Sequence, residues 1–172
     1  MAVMNIVTFP DKRLLCEAKV VNDIDGKLQQ LIDSMAETMY CAPGIGLAAN
    51  QVGEDCRLIV YDISPDLDKR GKWEALVNPV IVEQEGEIIS EEGCLSVVDF
   101  RAEVRRAARV CVQAYDRHGN PVERECEDML AIVMQHEIDH LHGALFIDRI
   151  SKLKRNLYIK RRMKQLKAEA DD

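Results

Sequence analysis

The 172-residue sequence has no long apolar run near its N-terminus, no internal repeat and no low-complexity segment, and only 5% of its residues are aromatic. Residues 1–9 are mixed in polarity, and the segment 10–13 (PDKR) ends any apolar stretch well short of a membrane span. We therefore expect no membrane segment and no secretory leader. The rest of the composition, 47% hydrophobic and 31% charged residues, is ordinary for a soluble enzyme.

The six cysteines are scattered along the chain and include no CxxC pair. Since no secretory signal is recognised, we interpret them as reduced thiols of a cytoplasmic protein and not as a disulfide framework.

The length suits one domain with a single core. Charge is unevenly distributed along it, although the net charge is only −7. Eight basic residues and no acidic one lie between Lys152 and Lys167, whereas residues 1–150 contain 15 basic and 27 acidic residues. The cationic segment is either a docking surface for a polyanion or a solvated helix face, because helix termini often carry lysine and arginine.

Hydrophobic spacing predicts a first helix capped by Asp25, since apolar residues recur every three or four positions up to residue 39. The glycine-rich segment 44–51 is expected to be a loop. Strands are predicted over residues 57–62, 75–83, 87–90, 101–105, 109–116 and 122–127, the last two forming a hairpin. Further helices are predicted over residues 128–142, ended by Gly143, and from a cap at Ser151 to residue 167.

The segment 136–140 (HEIDH) places two histidines one turn apart on the predicted helix 128–142. At 100° per residue, His136 and His140 lie about 40° apart, so both imidazoles can reach one metal ion. Glu137 lies roughly 60° from His140, which suits a general base beside the metal better than a ligand. Ile132 and Val133 precede them as an apolar wall, which argues against the alternative of a charged surface helix.

A catalytic metal needs a third protein ligand with one position left open. Phe146 stands where a metzincin would have its third histidine, and the only downstream glutamate is Glu169, beyond the basic helix. The best upstream candidate is Cys94, in a glycine-flanked turn between two predicted strands. Taken alone, Cys94 would be interpreted as a buried apolar side chain.

Three segments of the chain resemble, in order, the three motifs of peptide deformylases, and the resemblance spans about residues 5–165. The segments are 44–51 (GIGLAANQ), 92–96 (EGCLS) and 135–140 (QHEIDH). The resemblance implies one divalent metal ion bound by Cys94, His136 and His140, typically ferrous iron in the cell, with nickel, cobalt or zinc in purified protein. It implies hydrolysis of the N-formyl group from the N-terminal formyl-methionine of nascent polypeptides, with release of formate.

The resemblance also implies roles for the other motif residues. Glu137 would be the acid–base, and the Gln51 amide and the Leu95 backbone N–H would donate to the formyl oxygen. Without the resemblance, Gln51 would be interpreted as a capping or surface amide, and Arg101 as a solvated strand residue. Glycine at positions 44 and 46 would let a peptide backbone approach closely. The implied substrate contacts are Gly44, Ile45, Gly46, Gly93, Arg101, Ile132 and Val133. The methionine side chain would enter a pocket lined by Ile45, Ile132, Val133 and His136.

The resemblance extends to partners. Similar bacterial enzymes use a C-terminal helix to bind the ribosome near the exit tunnel, which here implies the basic helix 151–167. We expect a monomer in the cytoplasm without membrane contact. Two positions depart from the family pattern, Val98 in place of a frequent proline and Pro43 in place of an acidic residue in some members, and neither is a ligand or the base.

The order of predicted elements, strands in the middle and helices at both ends, indicates an α+β fold. Antiparallel sheets would pack around the central metal-binding HExxH helix, followed by a C-terminal helix. Residues 1–150 would form a single catalytic domain, and residues 151–172, a basic helix with a short acidic tail, would belong to the same domain.

Two competing functions share some of these residues. A zinc endopeptidase would use His136, Glu137 and His140, but it lacks its downstream ligand here. A ribosome-associated binding factor with a degenerate metal site would suit the basic helix but would leave Glu137 without a purpose.

Overall fold

A computed structural model describes residues 2–64 and 71–171 of the chain. The predicted α+β fold is confirmed: helices and antiparallel strands make up the described residues, with a helix at the C-terminal end. The helices are α1 (Gly26–Cys41), α2 (Asp128–Leu141) and α3 (Lys152–Asp171). The strands are β1 (Gly46–Ala48), β2 (Leu58–Tyr61), β3 (Glu74–Glu85), β4 (Ile88–Cys94), β5 (Val97–Arg106), β6 (Arg109–Tyr115) and β7 (Pro121–Glu127).

The strands form two antiparallel sheets, a five-stranded one in the order β1-β2-β3-β6-β7 and a two-stranded one of β4 and β5. The predicted hairpin joins β6 and β7, with Tyr115 opposite Pro121. Its turn is closed by Asp116, whose carboxylate accepts hydrogen bonds from the backbone N–H groups of His118 and Asn120. Gly119 has the positive φ of 84° that such a turn favours in glycine.

The five-stranded sheet is covered on both faces in its centre, and the alternation of side chains along β2 explains how. Leu58 and Val60 pack with α1 in one core cluster, whereas Ile59 and Tyr61 pack with α2 in another. Successive strand residues point to opposite faces, so a four-residue strand that is apolar throughout serves both clusters. Helix α2 is therefore central, as the sequence predicted.

The structure contains both the predicted cap at the start of α1 and the predicted glycine stop at the end of α2. The Asp25 carboxylate accepts a hydrogen bond of 2.9 Å from the Leu28 backbone N–H and so caps α1. Helix α2 ends before Gly143, which has a φ of 74°. A Cβ atom at residue 143 would lie 2.6 Å from the Leu15 carbonyl oxygen, so both the turn and the close packing require glycine there.

The expectation that residues 44–51 form a loop was wrong. Residues 46–48 are β1, which pairs with β2, and Ala49–Val52 is a short 3-10 helix. Glycine disfavours strands locally, but the pairing with β2 and the burial of Leu47 and Ala48 outweigh that preference.

Helix α3 packs against the rest of the chain through one face. Tyr158, 2% exposed, contacts the rings of Phe9 and Phe100, and the buried Arg162 donates to the Phe9 carbonyl oxygen. The helix extends to Asp171, beyond the predicted end at residue 167, so the acidic tail is helical within the described residues and its last residue, Asp172, lies outside them. None of the helices in the described ranges is both long and apolar enough to cross a membrane.

Candidate metal centre

Three potential ligand side chains converge where β4 meets α2. Cys94 is the last residue of β4, ahead of a two-residue turn into β5, and His136 and His140 lie one turn apart on α2. The Cys94 Sγ and His140 Nε2 atoms are 3.3 Å apart, and the ligand atoms of the three residues all lie within 4.8 Å of one another. One thiolate and two imidazoles at this spacing can hold a divalent ion and leave a fourth position open.

The two histidines have different electrostatic surroundings. Burial lowers the pKa of His140 well below its usual range, and the neighbouring His136 and Arg106 lower it further. Burial also lowers the pKa of His136, but hydrogen bonds to Cys94 and Glu92 outweigh burial and raise it. His140 is therefore neutral, which is the form in which an imidazole binds a metal ion.

A carboxylate to which the sequence motif assigned no role, Glu92, lies behind His136. Its Oε1 atom is 2.8 Å from His136 Nδ1, and its two oxygens each accept a hydrogen bond of 2.9 Å from Arg106. Burial raises the pKa of Glu92, but the bonds from Arg106 and His136 outweigh burial and lower it to about 2. Glu92 stands two positions before Cys94, and residues two apart on a strand project from the same face, which is the signal that could have revealed it.

Arg106 links this carboxylate to a second one. Its Nη1 atom lies 2.6 Å from Asp139, and Asp139 also accepts two hydrogen bonds from Arg149. The Asp139 side chain is only 13% exposed and belongs to a chain of charges that reaches His136. Because each charge has a partner, the network can stay ionised in a largely dry environment.

The amide of Gln51 is oriented towards the thiolate. Its Oε1 atom accepts a hydrogen bond of 2.9 Å from the Ala48 backbone N–H, which can only donate. The Nε2 atom must therefore point the other way, where it lies 3.1 Å from Ser96 Oγ and 3.5 Å from Cys94 Sγ. The structure thus places the Nε2 donor of Gln51, a residue only 2% exposed, beside the candidate metal ligand Cys94.

Glu137 is buried beside the ligands, 5% exposed, and its Oε2 atom has no hydrogen-bond partner among the described residues. Burial, the largest cause, raises its pKa to about 7. A Cβ atom at residue 46 would overlap this carboxylate, which lies closer to it than real Cβ contacts allow. Glycine at position 46 is therefore required by Glu137 itself, and not only by a peptide, as the sequence had suggested.

The other two motif glycines also make space for side chains of the site. A Cβ atom at Gly44 would lie 2.9 Å from Leu95 Cδ1, and one at Gly93 would lie 2.7 Å from Arg101 Nη1. These distances are too short for any residue with a Cβ atom unless the neighbouring side chain moves.

A cavity of about 750 Å³ opens in front of these residues. All the substrate-contact residues expected from the sequence line it, and so do Gln51, Cys94, Leu95, His136 and Glu137. His140 is not among the lining residues and lies behind them, 1% exposed. Phe100 also lines the cavity and was not expected, because a single aromatic residue in a strand carries no functional signal.

Two strand edges border this cavity. β1 is the terminal strand of the five-stranded sheet, and β4 pairs with β5 on one side only. Residues 44–46 line the cavity from the first edge and residues 90–94 from the second. An extended chain placed between them would face two strand edges, each without a strand partner among the described residues.

Comparison with protein families gives a consistent result. The family model described as polypeptide deformylase matches residues 3–156. A peptide deformylase of Desulfosudis oleivorans is 50% identical over 168 residues, which cover 97% of this chain and 96% of the relative. A peptide deformylase of Chromobacterium violaceum is also 50% identical, over 96% of this chain and 99% of the relative.

Solved structures with the same fold carry the same description. A crystal structure of a peptide deformylase from Legionella pneumophila has a TM-score of 0.88 and 46% identity, covering 97% of this chain and 98% of its own. A peptide deformylase from Ehrlichia chaffeensis, crystallised in complex with actinonin, has a TM-score of 0.90 and 37% identity over 96% of this chain and 98% of its own.

Proposed function

The chain belongs to the polypeptide deformylase family, a family of hydrolases, and we propose that it removes the N-formyl group from the N-terminal formyl-methionine of nascent polypeptides and releases formate. The observation that carries this proposal is the meeting, at one cavity, of the Cys94, His136 and His140 group with the buried carboxylate of Glu137. Competing functions explain less of this arrangement. An endopeptidase of the HExxH type has no need of Cys94, and a binding factor has no need of a buried base.

The donor set fits a divalent ion. Cys94 supplies a thiolate, His136 and His140 supply imidazoles, and the distances among their ligand atoms leave space for one ion. Glu92 holds Nδ1 of His136, which leaves the Nε2 atom of that ring free for coordination. When bound, the ion supplies Lewis acidity, which lowers the pKa of a coordinated water toward roughly 7 in the best zinc sites. We expect ferrous iron in the cell, and nickel, cobalt or zinc in purified protein.

Glu137 is proposed to be the acid–base of the reaction. Its unpartnered Oε2 atom can take a proton from the attacking water and later deliver it to the departing amine. The raised pKa of this carboxyl, about 7, lies near neutral pH, where a group can both accept and return a proton. Gln51 Nε2 and the Leu95 backbone N–H are proposed to donate to the formyl oxygen as negative charge develops on it.

The substrate is proposed to bind as an added strand between β1 and β4. Main-chain hydrogen bonds to the two strand edges depend little on the substrate's side chains. This binding mode therefore suits an enzyme that must accept most new proteins. The methionine side chain would enter between Ile45, Ile132 and Val133, which line the cavity. Arg101 lies near the far end of the same path, 3.4 Å from Glu91.

The test is release of formate from a formyl-Met tripeptide by metal-loaded protein, with the N-acetyl peptide as the matched control. Formyl carries only hydrogen on its carbonyl carbon, and Gly46, Gln51 and Leu95 leave little room for a methyl, so the formyl peptide should be hydrolysed far faster. Equal rates on both peptides would indicate a general aminoacylase. Cleavage of internal peptide bonds without formate release would indicate an endopeptidase.

The exposed face of α3 is proposed to bind the ribosome, where the substrate emerges. Lys160, Lys164 and Lys167 share this face with Leu153 and Leu157, which are 70% and 59% exposed. Tyr158 and Arg162, on the opposite face, are buried against the rest of the chain. A polyanion such as ribosomal RNA gives the cations a partner, and the leucines suit an apolar contact beside it.

A further inference from the structure

The two histidines of the candidate metal centre differ in how their second ring nitrogen is held. Nδ1 of His136 has Glu92 as a partner at 2.8 Å. Nδ1 of His140 is buried and has no hydrogen-bond partner among the described residues. Nε2 of His140 lies 3.3 Å from Cys94 Sγ, among the candidate ligand atoms. When Nε2 coordinates the metal ion, the ring proton of the neutral imidazole is on Nδ1, which makes that atom a buried donor without an acceptor.

A buried acceptor without a donor belongs to a neighbouring residue. Asn50, 4% exposed, donates from Nδ2 to the backbone carbonyl of His140, while its Oδ1 atom has no partner within the described ranges. The other unpartnered buried oxygens there are Glu137 Oε2, at the cavity, and the hydroxyl of Tyr158, on α3. Among these unpartnered side-chain acceptors, Asn50 Oδ1 is thus the one on a residue that is hydrogen-bonded to His140.

We propose that Asn50 is the positioning residue of His140, as Glu92 is of His136. Its Nδ2 group holds the end of α2 through the His140 carbonyl, and its Oδ1 atom accepts a hydrogen bond relayed from Nδ1–H by one buried water when Nε2 binds the metal ion. Fixing the ring proton in this way fixes the tautomer and orients the ring towards the ion. The proposal rests on the metal site of the proposed function.

A role of Asn50 through its Nδ2 bond alone and a role that includes its Oδ1 atom predict different effects of substitution. If Asn50 acts only through Nδ2, any replacement that loses this donor should weaken the site equally. If Oδ1 matters, Asn50→Asp should weaken the site less than an apolar replacement does, because its carboxyl group keeps the acceptor although it loses the amide donor. Asn50→Leu loses both, and Asn50→Ala loses both without the possibility of a clash.

The experiment measures release of Co²⁺ from the loaded protein into excess EDTA, followed by the absorption of the thiolate–cobalt bond, and thermal unfolding of the same samples. Substrate is not involved, so the result is independent of whether the enzyme deformylates peptides. Asn50→Leu and Asn50→Ala should release Co²⁺ at least about 10-fold faster than wild type, the scale of an outer-shell change, and Asn50→Asp should stay within about threefold. Ile32→Val, a small change in the remote α1 core, should leave the release rate unchanged while lowering stability.

Two results would overturn the proposal. Wild-type release rates in Asn50→Leu or Asn50→Ala would mean that Asn50 does not act on the metal. Equally fast release in Asn50→Asp and the two apolar variants would assign the effect to the Nδ2 bond and remove the role of Oδ1. Absence of Co²⁺ binding by the wild type would overturn the metal site and the proposal together, whereas Co²⁺ binding without formate release would overturn only the proposed reaction.

Discussion

The carboxylate of Glu137 occupies the space in which a Cβ atom of residue 46 would stand, so β1 can pass this side chain only because residue 46 is glycine. The relationship joins the first motif to the third across the cavity. It makes the position of the acid–base depend on a residue 91 positions away in the chain.

Gly46→Ala should lower kcat/KM for a formyl-Met peptide by at least about 100-fold, because displacement of a reacting group by about 1 Å has costs of that order. Metal content should not change, since Glu137 is not a proposed ligand. Gly26→Ala is the control, because a Cβ atom at Gly26 would meet nothing within 4 Å. Wild-type turnover in Gly46→Ala would show that Glu137 can be moved without consequence.

Cys94→Ala should lose the bound metal and the hydrolytic activity together, because two imidazoles alone do not retain a catalytic ion. Metal content by atomic emission and formate release are measured on the same preparation. Cys111→Ala, at a buried cysteine of β6, should keep both. Full metal content in Cys94→Ala would remove the thiolate from the ligand set.

Glu137→Gln should keep its metal and lose at least about 10²-fold in kcat, the usual contribution of a general acid–base. The amide has the same shape but cannot accept the proton from water. Metal content and kcat are measured together at one pH. A variant with near wild-type turnover would mean that Glu137 is structural.

Charge reversal on the outer face of α3, as Lys160→Glu, Lys164→Glu and Lys167→Glu combined, should abolish co-sedimentation with ribosomes at low salt. Wild-type binding should itself weaken steeply as salt rises. Hydrolysis of a short formyl peptide should be unchanged. Substitution is preferred to truncation, because removal of α3 would also remove the buried ring of Tyr158 from the core.

The control for that experiment reverses three exposed lysines elsewhere, Lys12, Lys27 and Lys72, which changes net charge equally. The control should pellet with ribosomes more like the wild type. If both triple variants lost ribosome binding equally, the loss would result from the change in net charge. Helix α3 would then have no specific role in binding and would be only a solvated helix.

Stability should fall between about pH 9 and pH 11 in part because of Cys126. Burial raises the pKa of this thiol from 9.0 to about 11, so the folded protein retains the proton over a range where the unfolded chain loses it. The stabilising contribution is complete below pH 9 and is lost as the pH rises through 11, with a size up to roughly 3 kcal/mol. Urea unfolding at several pH values should therefore give a shallower decline for Cys126→Ala than for wild type, whatever its stability at pH 7. Parallel curves would contradict the assignment.

Local patterns in the sequence predicted much of the fold. The Asp25 cap, the hairpin of β6 and β7 and the stop at Gly143 depend on residues within a few positions of one another, so their signals survive without knowledge of the fold. The same holds for His136, Glu137 and His140, because the helical period alone sets their relative directions. The segment 44–51 was wrongly expected to be a loop, because its strand exists through pairing with β2, and glycine content does not report a distant partner.

What only the tertiary structure decided is which distant side chains share a buried space. Cys94 meets His136 and His140 because β4 ends against α2, and no periodicity in the sequence encodes that meeting; the resemblance to a family supplied it instead. Glu92 needs Arg106 because two charges taken out of water are stable only as partners, and Gly46 is glycine because Glu137 fills the space beside it. The sequence by itself determined the elements and the kinds of chemistry they carry, since both follow from neighbours along the chain. Their assembly into one site depended on close packing between segments far apart in sequence. In such packing each buried charge needs a partner and each side chain must fit the space left by its neighbours.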